Sequence, residues 1–120
     1  MEKQNPFESL RQPGIRGEDV ISGCKSTTIF AAGEKAALQI STAELLPGVY
    51  GFGFYLHLDG VTRQMYPGEG SGWFRSEDDA MLYALGYIRY GAVDIPEDMK
   101  FAIDAAISRI RNVSLFDDLD

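Results

Sequence analysis

Between Val49 and Leu58 the chain alternates so regularly that one side of an extended strand is wholly apolar: Tyr50, Phe52, Phe54, Leu56 and Leu58. Successive side chains of a strand point to opposite faces, so the other side collects Val49, Gly51, Gly53, Tyr55 and His57, all small or amphipathic. Such a strand has to lay its apolar face on a second layer. Asp59-Gly60 follows directly, and Asp-Gly is favoured where a two-residue hairpin turn needs positive φ at both positions. Val61 to Tyr66 is then the returning strand.

The flanking segments follow from the same periodicities. Thr27, Thr28, Ile29 and Phe30 are β-branched or aromatic, which makes Lys25 to Ala32 a strand. A turn at Ala31-Ala32-Gly33-Glu34 leads to a second strand, Lys35 to Ser41, with Ala36, Leu38 and Ile40 on one face and a turn at Pro47-Gly48 after it. Beyond the glycine-rich segment Pro67 to Gly72, Trp73 and Phe74 either resume the sheet or plug its end. Ser76 stands three residues before Asp79, a capping-box-like helix start. Met81, Ala84, Leu85 and Ile88 then recur at helical spacing, and Gly91 closes the helix. Asp94, Pro96 and Glu97 open a second helix, with Met99, Ile103, Ala106, Ile107 and Ile110 as its apolar stripe.

Strands first and helices last predict an α+β fold: an antiparallel curled sheet of about four strands followed by two C-terminal helices packed on one face. Residues 1–18 read as an irregular N-terminal arm, broken by Pro6, Pro13, Gly14 and Gly17, which Phe7, Leu10 and Ile15 would pin to the domain. Residues 19–112 form a single α+β domain, and 113–120 an acidic C-terminal tail.

Charge and composition narrow the function. The net charge of −7 repels phosphate backbones and anionic membranes, which argues against direct duplex nucleic-acid binding. Cys24 is the only cysteine, so neither an intramolecular disulfide nor a thiolate metal site can form. Met1 to Gln12 has the pattern of neither a secretory signal nor a membrane anchor, and the expected setting is reducing and cytoplasmic. His57 is the only histidine; with Asp59 on its strand face it lacks a nucleophile to activate. Glu77, Asp78 and Asp79, like Glu97 and Asp98, sit in first helical turns, where the dipole accounts for them without a metal. The segment Gly68 to Gly72 lacks the lysine and the following helix of a phosphate loop. No catalytic, cofactor or metal site is expected.

Tyr83, Tyr87 and Tyr90 lie at i, i+4 and i+7, offset from the Met81–Leu85–Ile88 stripe. Rigid amphipathic aromatics in such a position suit a protein contact surface, or else they wedge between neighbouring elements with their hydroxyls in water.

At the other end stands Asn112-Val113-Ser114-Leu115-Phe116, followed by Asp117, Asp118 and Asp120. This pentapeptide resembles the sliding-clamp-binding motif of bacterial replication and repair proteins, commonly Gln-Leu-Ser/Asp-Leu-Phe. Ser114, Leu115 and Phe116 match it; Asn112 replaces the usual glutamine and Val113 the common leucine. The resemblance implies an extended peptide in which Leu115 and Phe116 fill an apolar pocket and Asn112 supplies an amide hydrogen bond. The leading expectation is a non-enzymatic bacterial or phage accessory protein that acts on a protein partner, the sliding clamp among the candidates. The alternatives are an acidic inhibitor presenting Glu77, Asp78, Asp79, Glu97, Asp98 and Asp104 in place of phosphates, and a small-ligand-binding domain using the Gly51/Gly53 face with Tyr55 and His57. Oligomeric state is left open.

Overall fold

The computed structural model describes residues 5–12, 24–67, 72–91 and 94–119, with side chains as far as 112. Ile15 of the expected arm, Asp120, and the side chains of Leu115 and Phe116 lie outside them. Strands β1 (Lys25–Ala32), β2 (Ala36–Leu46), β3 (Val49–Leu58) and β4 (Val61–Met65) form one open antiparallel sheet in the order β1-β2-β3-β4. Two helices follow, α1 (Glu77–Arg89) and α2 (Glu97–Leu119). The fold is α+β, as the element order predicts.

The central hairpin forms as its sequence requires. Asp59 and Gly60 have φ of 49° and 84°, so Leu58 pairs with Val61 and the apolar side of β3 turns as one toward the helices. Strand β2 runs past Ser41 to Leu46, because Thr42, Ala43 and Glu44 pair with Phe52, Gly51 and Tyr50. The register shifts between Thr28 and Phe30 and between Glu44 and Leu46, irregularities of the kind that bend a sheet. Since β4 pairs only with residues 54–58, the start of β3 takes another partner. Tyr50 and Phe74 exchange both backbone hydrogen bonds, at 2.9 and 2.8 Å, and Phe74 is completely buried. The Trp73-Phe74 pair therefore both resumes the sheet and plugs its end.

Helix α1 starts where Ser76 Oγ accepts from the Asp79 amide at 3.0 Å. Glu77 secures that end to the sheet, accepting from Thr42 Oγ1 at 3.4 Å and pairing with Lys25 Nζ at 3.0 Å. At the other end the Tyr90 amide bonds to the Gly86 carbonyl. Gly91 closes the helix for lack of space: a Cβ there would stand 2.5 Å from the Tyr87 carbonyl oxygen. Helix α1 covers β2 and β3, while α2 packs on α1 and over β1. Their stripes meet the sheet through Ala84, Leu85, Met99 and Ile103, all fully buried. Helix α2 does not stop at Asn112. Its backbone is helical to Leu119, across the residues read from sequence as a tail.

The described part of the arm, Asn5 to Gln12, lies across α1. Asn5 Nδ2 donates to the Tyr83 carbonyl at 3.0 Å, Phe7 and Leu10 pack on the core, and Gln12 bridges to Trp73. Gly86, in the middle of α1, makes room for this strap. A Cβ at Gly86 would collide with Asn5 Oδ1 and come within 2.9 Å of the Phe7 ring. An interior helical glycine costs about 1 kcal/mol relative to alanine, and the docked strap accounts for its presence. Gly86→Ala should therefore strengthen α1 and displace the strap. Hydrogen exchange would then speed up at the Leu10, Arg11 and Gln12 amides, which are bonded in the wild type; unchanged protection there would refute the account.

Candidate functional site

The three tyrosines of α1 have separate fates. Tyr83 is only 6% exposed, with its ring 5.4 Å from Phe52 and 5.1 Å from Phe74. Its hydroxyl bonds to Glu8 of the strap, and Arg11 lies over the ring at 6.0 Å. It is wedged between the sheet and the strap, with its hydroxyl on Glu8 and not in water. Tyr90 is half-buried under the Arg89 guanidinium, 5.2 Å from its ring centroid, while Arg89 Nε bonds to Asp104 Oδ1 at 3.1 Å. Tyr87 faces outward, 46% exposed, and rests on Phe52 at 6.1 Å, Phe54 at 5.8 Å and Tyr83 at 6.4 Å.

Burial raises the Tyr83 pKa, the bond and negative charge of Glu8 raise it further, and Arg11 pulls the other way. The folded protein thus keeps a proton that the unfolded chain loses near its ordinary value of 10.0. The resulting stability is fully present below that pH and is lost as pH rises through the higher folded value. In an absorbance titration of phenolate, Tyr83→Phe should remove a late-ionising component and flatten the alkaline loss of stability. An unchanged profile would contradict this.

The outward tyrosine is continuous with a strip of sheet that the helices cover only in part. Helix α1 makes its sheet contacts mainly on β2 and β3, and along the helix side of β4 Met65 is half-buried against the core while Arg63 and Val61 are exposed. Cross-strand register sets Met65 beside Phe54, Arg63 beside Leu56, and Val61 beside Leu58. Leu56, Leu58, Val61 and Arg63 enclose a hollow of about 100 Å³, and Val61 is 60% exposed. The outer edge of β4 has no neighbouring strand among the described residues. Tyr87, Phe54, Met65, Leu58 and Val61 therefore form one apolar strip beside an open strand edge. Periodicity identifies Tyr87, but the strip depends on where α1 lies sideways on the sheet.

Other sequence candidates are placed differently. His57 uses both ring nitrogens away from Asp59: Nε2–H donates to the Glu34 carbonyl at 3.1 Å, which leaves Nδ1 to accept from the Thr62 hydroxyl at 2.8 Å. Three of the six carboxylates expected as phosphate substitutes have cationic partners: Glu77 with Lys25, Glu97 with Lys100, and Asp104 with Arg89. Asn112 is exposed. Among the described residues no three His, Cys, Asp or Glu side chains come together as a metal-ligand set, and no helix is long and apolar enough to cross a membrane.

No protein-family model matches the chain, and comparison with curated proteins and with solved structures gives no match.

Proposed function

We propose that this protein is a non-enzymatic accessory module that works by docking a protein partner on the strip from Tyr87 to Val61. The observation that carries this reading is the exposed Tyr87 ring, resting at a tilt on Phe52 and half-buried Phe54, beside half-buried Leu58 and Met65 and exposed Val61. An aromatic side chain already held by packing loses little freedom on binding, which is why tyrosines of this kind anchor interfaces. The adjoining β4 edge offers unpaired backbone groups that an extended segment of a partner can meet.

A photo-crosslinking residue at position 87 tests the reading. The expected result is a discrete protein adduct from bacterial lysate that disappears when Val61→Asp is added, and that a crosslinker at exposed Thr28, on the far edge strand, does not give. Adducts unaffected by Val61→Asp would remove the strip from consideration. The sliding clamp stays a candidate partner on the resemblance of residues 112–116 alone. Because α2 is helical there and the motif docks extended, an isolated peptide of that segment should bind a clamp more tightly than the intact protein does.

A further inference from the structure

The sheet face turned away from the helices contains a second, chemically different hollow. Alternation puts Ser26, Gln39, Ser41, Tyr55 and Gln64 on this side, with Tyr66 just beyond β4. The flanking cations point the other way: Lys25 meets Glu77 at the start of α1, and Arg63 lines the helix-side hollow with Leu56. Among the described residues that line the outer hollow none is charged.

Register gives this hollow its shape. Gln39, Tyr55 and Gln64 stand directly opposite one another on β2, β3 and β4. Two residues along, about 7 Å away, the next row is Ser26, Ser41 and Gly53. Pro67 lies over Gly53, and the short Ser26 and Ser41 beside the longer Gln39, Tyr55 and Gln64 make a step, with a cavity of about 250 Å³ in its angle. Tyr55 and Tyr66 rise from it, 37% and 43% exposed. Ser26 Oγ bonds to Gln39 Oε1 at 3.5 Å, an arrangement in which the amide NH₂ is turned away from the serine.

We propose that this hollow binds an uncharged nucleobase or nucleoside of the adenine type. A carboxamide presents a donor and an acceptor side by side, the complement of a ring edge with an acceptor next to an amino group, as at adenine N7 and N6. Tyrosine rings stack on such a base. The cavity lies below the roughly 300–1,000 Å³ of drug-sized ligand sites and suits a single ring system with little attached. A phosphate group would find no cation among the described lining residues, in a chain of net charge −7. Its polar residues stand on the face opposite the protein-docking strip, and Phe54 and Met65 of that strip also contribute to the lining of the hollow.

Titration of ¹⁵N-labelled protein with adenosine at millimolar concentration tests the proposal. The expected result is saturable shifts at the Gln39 and Gln64 side-chain amides and at the Ser41, Gly53 and Tyr55 backbone. AMP should bind several-fold more weakly than adenosine, and so should inosine, which lacks the amino donor. Gln39→Ala and Gln64→Ala, at exposed positions outside the core, should each weaken binding about tenfold. Absence of saturable shifts, equal binding by the double glutamine variant, or tighter binding of AMP would each overturn it. The comparison of adenosine, inosine and AMP needs only the wild-type protein, so the outcome does not depend on any variant folding.

Discussion

Phe52→Ala is expected to cost about 3–5 kcal/mol of folding stability. Phe52 is 1% exposed, and its ring lies 6.0 Å from Phe74, 5.4 Å from Tyr83 and 6.1 Å from Tyr87. One side chain thus joins the middle strand to the sheet plug and to α1. Phe74 is held by the sheet and the two tyrosines by α1, so the rings cannot close in together on the space left behind. Against a typical total of about 5–15 kcal/mol, such a loss brings the domain close to unfolding at ordinary temperature. Urea titration measures it directly, with exposed Leu46→Ala as a control expected to stay within about 0.5 kcal/mol. A loss for Phe52→Ala below about 1 kcal/mol would mean that the aromatic cluster is not the centre of the core. The substitution should also loosen Tyr87, which rests on the same ring.

Gly53→Ala should also destabilise strongly, through space rather than backbone conformation. A Cβ at Gly53 would run into the Met65 carbonyl and lie 2.8 Å from both Pro67 Cδ and Ser41 Oγ. The serine can rotate, but the carbonyl and the ring cannot move without drawing β4 away from β3. Overpacking of this kind costs about 1–3 kcal/mol, and valine should cost more than alanine. The distinguishing measurement is hydrogen exchange along Val61–Met65, which should quicken while α1 stays protected. Uniform loss of protection would instead indicate ordinary global destabilisation.

Much of this architecture is legible before any coordinates. The alternation from Val49 to Leu58 and the Asp59-Gly60 turn fix the hairpin, because a strand with one apolar side and a two-residue link has few other solutions. Local signals do less well where a partner determines the outcome. Strand β2 continues through Thr42 and Glu44, a stretch weak in local strand pattern, because β3 supplies hydrogen-bonding partners to Leu46. The spacing of Tyr83, Tyr87 and Tyr90 places them together but does not reveal that the strap buries the first and Arg89 covers the third. Gly86 is the available signal for the strap, since a glycine inside a helix calls for a close neighbour. The open strip is beyond the reach of sequence, because no pattern within α1 says how far across the sheet it lies. On the outer face, alternation alone makes Gly53 and Tyr55 readable as a candidate ligand surface. It groups His57 with them, but the histidine nitrogens are turned to Glu34 and Thr62.

Every strand in this sheet pairs with the one next to it in the chain, so each hairpin closes only a short loop and gives up little chain entropy in doing so. The Asn5 to Tyr83 bond spans 78 residues, and the Gln12–Trp73 bridge is also a distant pairing. During synthesis the ribosome therefore releases the strap first, yet its seat exists only once α1 has emerged. Until then its apolar residues Phe7 and Leu10 remain unmatched. Strap docking is thus a closing step of folding, and in the mature protein its release would be an early, reversible opening that uncovers the Gly86 side of α1 without disturbing the sheet.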